Sequence, residues 1–372
     1  MAQILTHHTV VRDGYHNMCT DLCFWQDAFW VVHARASAHC SPDGVVVLHR
    51  SADLRRWSEV AVFKGPCDLR DPALAATDDE LLLYAIDSHF EMEPSGRERQ
   101  IADTYVFTSD DGYRWSERQK AYERNYWLWR VREHDGTFYS PEKGGELLSS
   151  PDGREWSFHS RIADDGMSPQ ERQELRKVEH RMTPNFNEAD IIFRPDGEMW
   201  CVSRTKRDGH HSLLYISKPP YKEWECVDLE TMIHCPALCE SGGKVYVAGR
   251  SDVSVPWIAQ PVPAGNTAVF ELDRNGVTPV FALPSSGDAA YPGLVSLEAG
   301  RLIISYYSQH AYLGGVVEAD KRSLHHIERW ASLNRAAPPP GYPLELSHFK
   351  SGPSDIYIAE IDLEAEGKET SF

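Results

Sequence analysis

Short apolar runs separated by turn residues recur along almost the whole chain, and helical periodicity is scarce. The clearest unit is Asn187–Arg204, NEADIIFRPDGEMWCVSR. Apolar Ile191–Phe193 leads into Asp196-Gly197, a dipeptide that closes two-residue hairpins, and Met199–Ser203 runs back. Antiparallel pairing brings Glu188 and Arg204 out at the same end, opposite the turn. One hairpin thus sets a carboxylate beside a guanidinium.

The template fits six stretches: Thr20–Arg35, Leu69–Asp87, Trp127–Ser140, the one above, Cys235–Arg250 and Tyr291–Ser308. Their turns fall at Gln26-Asp27, Asp78-Asp79, Asp135-Gly136, Asp196-Gly197, Gly242-Gly243 and Ala299-Gly300. A second strand pair follows each hairpin. Four of these pairs share a signature, RSADLRRW, TSDDGYRW, SSPDGREW and ISKPPYKEW, ending at Trp57, Trp115, Trp156 and Trp224. AVFELDRNGVTPVFAL and DIYIAEIDL keep the strand pattern without the Trp.

Four strands repeated six times predict an all-β, six-bladed β-propeller, one domain over 1–372. Its blades are expected near 20–62, 69–121, 127–161, 188–229, 235–283 and 291–363. His8–Val11 is expected to close the last blade, because an open ring would leave a bare edge. The long connections are His89–Asp103, Ser160–Phe186, Ser251–Thr267 and His310–Pro353. Ser168-Pro169 before ERQELRKVEHR predicts a capped helix and Ala319–Ala336 a second, so helical loop insertions are expected on the active face. Loops of this length fit lids, site walls or contacts in a homo-oligomer.

Bulk chemistry narrows the partners. Eleven Trp and sixteen Tyr suit a β-rich fold or a sugar-binding surface. A formal charge of −18 speaks against nucleic acid and against an anionic membrane surface. No apolar run is long enough to span a bilayer, and MAQILTHHTVVRDGYH lacks the basic and apolar regions of a leader, so a cytoplasmic protein is expected. Cys19/Cys23 and Cys235/Cys239 are spaced like metal ligands, but no partner pair follows at zinc-site distance. Reduced thiols, with no metal and no cofactor, are the expectation.

In a propeller the first strand of each blade lines the central channel, and its start shares a face with the end of the second strand. That face collects Arg35, Arg70, Arg130, Arg204 and Arg250 with Asp21, Asp71, Asp87, Glu188, Asp190, Tyr291, Tyr306 and Tyr307. Arginines converging on one funnel need a bound anion or offsetting carboxylates. Arg204 and Arg250 can each grip a carboxylate with two bonds, or else pair with Glu188 or Asp252. Tyr291 is either a core aromatic at a strand start or a nucleophile deprotonated by Glu188. Asp71 and His39 are the candidate general acids, the first if its pKa is raised, the second without tuning.

Thr108-x-Asp110-x-Gly112-x-x-Trp115 resembles the Asp-box of the sialidase superfamily, with Ser149–Trp156 as a weaker copy in which Pro151 stands at the aspartate position. Blade order extends the likeness over nearly the whole chain. Sialidases carry a Glu and an Arg on blade four, a second Arg on blade five and a nucleophilic Tyr opening blade six. Glu188, Arg204, Arg250 and Tyr291 fall in those places. The first-blade FRIP-type arginine motif is absent: Asp21 stands near its position, and LRDP at Leu69–Pro72 comes one blade late. Ala34–His39 fills the loop of the usual acid/base aspartate, and Tyr306 replaces the Glu one hairpin beyond the nucleophile.

The resemblance implies a glycosidase cleaving an acidic, carboxylated sugar with retention. Tyr291 would be the nucleophile, Glu188 its base, Asp71 or His39 the acid, and Arg35, Arg70, Arg130, Arg204, Arg250 and Tyr306 the substrate contacts. A uronic-acid polysaccharide lyase would use the same arginines to neutralise the carboxylate. A non-catalytic glycan-binding propeller is the third alternative.

Overall fold

A computed structural model describes residues 2–92, 98–164, 166–178, 186–205, 211–251, 266–285, 287–312 and 352–364. Strand β1, Gln3–Val11, comes first and stands apart from the blade that follows it. Blade one is β2 His16–Trp25, β3 Ala28–Ala36, β4 Val45–Ser51 and β5 Ser58–Lys64. Blade two is β6 Asp68–Ala76, β7 Leu81–Met92, β8 Glu98–Ser109 and β9 Gln119–Lys120. Blade three is β10 Arg132–His134, β11 Thr137–Pro141, β12 Glu146–Ser150 and β13 Ser157–Arg161. Helix α1, Pro169–Val178, leads to blade four: β14 Ala189–Phe193, β15 Met199–Ser203, β16 Leu213–Ser217 and β17 Glu225–Asp228. Blade five is β18 His234–Ser241, β19 Lys244–Ser251, β20 Asn266–Asp273 and β21 Gly276–Ala282. Blade six is β22 Ala289–Val295, β23 Arg301–Ser308 and β24 Asp355–Asp362, with β1 as its outer strand.

Each blade is an antiparallel meander of four neighbouring strands, and β1 pairs with β24 from Gln3↔Asp362 to Val11↔Ile356. The ring is closed by its own N-terminal strand, which removes the edge that β24 would otherwise present. Apolar packing lies between neighbouring blades. Trp30, Leu48, Leu81 and Leu83 join blades one and two, and Val202, Ile216, Val247 and Phe270 join blades four and five.

The six expected hairpin turns join the inner strands. Several need left-handed backbone, as at Asp135 (φ 50°) with Gly136 and at Gly242 with Gly243. On the same rim lie the third-to-fourth strand turns that carry the Trp signature. Here the register of the Asp-box differs from the sequence expectation. Asp111, not Asp110, accepts the backbone N–H bonds of Tyr113 and Arg114, both at 2.7 Å, and Ser109 Oγ donates to it. Gly112 follows with φ 75°, where a Cβ would come within 2.1 Å of the Trp30 ring. The supposedly weaker copy is complete one residue further on: Asp152 accepts from Arg154 and Glu155, and Trp156 Nε1 donates to Gly153 O. Blade one repeats the turn with Asp53, and Leu54 takes the glycine's place at φ 62°. The carboxylate must stand two and three residues before the N–H groups it caps, and that spacing picks the second acidic position.

Two expectations about the loops change. The connection 89–103 is mostly strand, because β7 and β8 pair out to Met92↔Glu98. Among the described residues α1 is the single helix. It opens with a capping box in which Ser168 and Glu171 bond reciprocally, and buried Arg172 and Arg176 tie it to blade three through Gly144 O and Glu142. The second expected helix, over 319–336, lies outside the described residues, as does Asp252. Over its described residues the molecule is therefore an all-β propeller with one short helix.

Candidate active site at the channel mouth

Four inner strands share a frame that the hairpin template alone does not single out: Cys19-Thr20-Asp21-Leu22, Asp71-Pro72-Ala73-Leu74, Cys235-Pro236-Ala237-Leu238 and Tyr291-Pro292-Gly293-Leu294. In each, the ladder to the second strand slips by a β-bulge over the first two residues, between Met18/Asp21, Arg70/Ala73, His234/Ala237 and Ala290/Gly293. Proline suits such a position because it has no N–H to leave unpaired. The leading residue is left-handed in all four, with φ of 54° at Cys19, 46° at Asp71, 53° at Cys235 and 46° at Tyr291. Non-glycine residues held there cost about 1 kcal/mol each or more, and such strain gathers at functional sites. Blade four enters without a bulge, with Glu188 just ahead of β14. The close fit at the centre is visible at Gly293, where a Cβ would come within 2.3 Å of Leu22 N.

The frame turns Cys19, Asp71, Cys235 and Tyr291 toward one another, and Glu188 joins them from blade four. Arg204 Nη1 donates to Glu188 Oε1 at 2.8 Å, and the backbone N–H and the thiol of Cys235 both donate to Oε2 at 3.1 Å. Burial by itself would raise the Glu188 carboxyl, but Arg204, Cys235 and Arg250 outweigh it and bring it down to about 2. Glu188 is therefore a fixed negative charge. Burial pushes the Tyr291 phenol well above its ordinary value; the Asp71 charge adds to this, Arg130 opposes it, and Glu188 contributes less than Asp71. Burial and the Asp71 charge likewise raise the Cys19 thiol, and burial with Glu188 raises that of Cys235. Trp129 closes the wall, its ring 6.4 Å from Tyr291 and 5.2 Å from Trp127.

The arginines of the mouth are occupied. Arg70 is buried, pairs with Asp68 at 3.2 Å and Asp71 at 3.5 Å, and donates to His39 O and Cys40 Sγ. Burial lifts the Asp68 carboxyl to about 6 against the pull of Arg70. Arg250 donates to Ala289 O, to Asp288 Oδ1 at 3.1 Å and to the Tyr307 hydroxyl, which itself donates to Asp288 Oδ1 at 2.8 Å. The other oxygen, Oδ2, faces His39 Nδ1 at 2.6 Å and His16 Nε2 at 3.2 Å. Burial would raise Asp288; His39, His16 and Arg250 together hold it well below the carboxylate range.

His16, His39 and Asp288 bring three ligand-type atoms within 4.8 Å of one another. Arg70 stands at His39 Nε2 and Arg250 at Asp288, and two guanidiniums against the set oppose a divalent cation. An arginine only donates, so His39 Nε2 accepts and its ring proton sits on Nδ1, aimed at Asp288. Burial also lowers the His39 pKa, and its ring proton is committed to Asp288, which makes it a poor general acid.

Three further expected contacts do not reach the mouth. Arg35 lies at the outer end of β3, paired with Glu59 at 3.2 Å and Asp13 at 3.6 Å. Arg130 lies beneath the site: it pairs with Asp21 at 2.6 Å, donates to Thr20 O and Pro292 O, and supports the Tyr291 ring 5.0 Å away. Tyr306 is turned into the blade five–six interface, its hydroxyl donating to Pro284 O; alternation along β23 gives the inward place to Tyr307. Asp21 and Asp190 are interblade ties, accepting the N–H groups of Leu74 and Leu238.

The residues the sequence reading passed over are Asp288, Cys19, Cys235 and Trp129. The residue-Pro-x-Leu repeat marks Cys235, whereas Cys19, followed by Thr20, and Asp288 have no such motif.

No protein-family model matches the sequence, and no curated protein sequence does. Solved structures do resemble it. A protein of unknown function from Dyadobacter fermentans aligns with a TM-score of 0.68 at 16% identity over 98% of this chain and 99% of that one. A Penicillium chrysogenum α-L-arabinanase, solved with arabinobiose, gives 0.60 at 12% over 98% and 99%. The endosialidase of phage phi92 gives 0.58 at 10% over 99% and 70%. The chain has the six-bladed propeller fold that arabinanase and sialidase structures also have.

Proposed function

We infer that this chain is a glycoside hydrolase working at the channel mouth, with Tyr291 as nucleophile, Asp71 as proton carrier and Glu188 as the fixed charge that stabilises the cationic transition state. The supporting observation is the set of strained bulges that turns Asp71 and Tyr291 toward ion-paired Glu188. The similarity in fold to an arabinanase and an endosialidase accords with sugar chemistry at this place.

Arg204 and Cys235 hold the Glu188 carboxyl down at about 2, which makes it a weak base for a phenol that burial pushes up. Asp71, which acts more strongly on the phenol, takes that role. As the Tyr291 oxygen bonds to the anomeric carbon and the glycosidic C–O bond breaks, the phenol proton passes to Asp71 and on to the leaving oxygen. Water then attacks the anomeric carbon, freeing the phenol oxygen, which regains a proton. The net reaction is hydrolysis with retention.

A second reading has its own observation. A permanently ionised Glu188 could attack the sugar itself, with Asp71 as acid, the two-carboxylate pattern of most glycosidases. Tyr291→Phe separates the two. Turnover of an aryl glycoside found by screening is lost in the first reading and kept within about tenfold in the second. Failure of the wild-type chain to cleave any member of a broad glycoside panel removes both. A lyase on a uronic acid, or an acidic-sugar hydrolase, would need an arginine released from its carboxylate.

A further inference from the structure

We propose that Asp288 is a specificity-determining residue: it fills the guanidinium of Arg250 with an internal carboxylate and so restricts the site to an uncharged glycosyl unit. The inference rests on the reading of the channel mouth as a glycosidase site.

A substrate carboxylate is best held by a guanidinium that can offer two parallel N–H donors. Arg250 stands on blade five beside Glu188 and Cys235, where a carboxylated sugar would meet it. Its Nε and one Nη group are already spent on Ala289 O, Asp288 Oδ1 and Tyr307. Asp288 is itself fixed. Each oxygen faces two partners, Arg250 and Tyr307 at one, His39 and His16 at the other. Its backbone N–H donates to Gln309 Oε1 at 2.7 Å, which pins the approach to β22 three residues before Tyr291. An arriving carboxylate would have to displace a carboxylate that is buried, saturated and held by geometry. Association would also bring a second negative charge against it in a site of low effective dielectric.

The remaining arginines are paired as well, though less evenly. Arg70 meets Asp68 and Asp71, while Arg204 gives Glu188 a single bond from Nη1 and its Nε has no partner among the described residues. Three guanidiniums, Arg70, Arg204 and Arg250, meet four carboxylates, Asp68, Asp71, Glu188 and Asp288. These pairs leave no excess positive charge among themselves to attract an acidic sugar. Neutral hydroxyls, by contrast, can bond to carboxylate and guanidinium edges without separating the pairs.

The test titrates wild type and Asp288→Asn with D-glucuronate and N-acetylneuraminate, and with L-arabinose and D-glucose as neutral controls. Freeing Arg250 is expected to tighten binding of an acidic sugar at least about tenfold relative to the neutral sugars, the weight of one charge-assisted bond. Equal affinity for acidic sugars in the two proteins, no binding in either included, overturns the proposal. Asp288→Ser serves the same purpose should the asparagine variant fail to fold. A matched panel of aryl glycosides on wild type separates this outcome from the fate of the hydrolase reading. Cleavage of neutral members over the glucuronide and sialoside supports both. Preference for the charged members overturns the specificity alone. Cleavage of none overturns the hydrolase, and the titration still decides whether Asp288 blocks an anion site.

Discussion

At the rim far from the channel mouth, Asp53, Asp111 and Asp152 each accept N–H bonds from residues two and three positions later in the chain. At the mouth, Glu188 is held by Arg204, 16 positions away, and by Cys235, 47 positions away. The rim turns are built from neighbours and can be copied blade by blade. The mouth takes one side chain from each of several blades, and each differs from the next. A repeat fold thus writes its scaffold many times and its chemistry once, so a rim substitution should cost stability and a mouth substitution activity.

The largest expected effect is at the mouth. Tyr291→Phe keeps the ring over Arg130 but removes the nucleophile, so turnover should fall at least about a thousandfold with little change in melting temperature. A large loss of stability with turnover retained would put Tyr291 with the scaffold and erase the contrast. At the rim, Gly112→Ala places a methyl against Trp30 in left-handed backbone and should cost about 3 kcal/mol in denaturant unfolding, with the specific activity of the folded fraction unaltered.

A pH experiment sharpens the comparison. The Glu188 carboxyl lies at about 2 in the fold against an ordinary 4.5, so it contributes stability above the ordinary value that is lost as pH falls toward 2. Between pH 4.5 and about 3 this amounts to about 2 kcal/mol, and Glu188→Gln should flatten that part of the melting profile. An unchanged acid slope would mean that the Arg204 and Cys235 bonds do not hold the charge. The smallest effect belongs to Asp111→Ala, which uncaps one turn among several. It should lower the melting temperature by roughly 1–3 °C and leave turnover as it was.

The rim was the legible part, yet even there the pattern centres on Asp110 while the capping carboxylate is Asp111. Spacing to a Trp identifies the turn, but only the N–H directions choose between adjacent acids. At the mouth, blade order puts Glu188, Arg204, Arg250 and Tyr291 on one face, and the structure pairs Glu188 with Arg204. A strand end does not give a side chain's direction: Arg35 turns outward to Glu59, and Tyr306 is one residue out of phase with Tyr307.

The sequence by itself determined the number of blades, their turns and the inner strands, because strand period and turn chemistry act over a few residues. It also carried the residue-Pro-x-Leu frame found at three of the four bulges. Only the tertiary structure decided which charges meet. Arg130 went beneath Tyr291 to Asp21, and Arg250 to an aspartate, Asp288, that no local pattern marks. Pairing of buried charges depends on distances across the ring between residues far apart in the chain, and those distances exist only once the ring has closed.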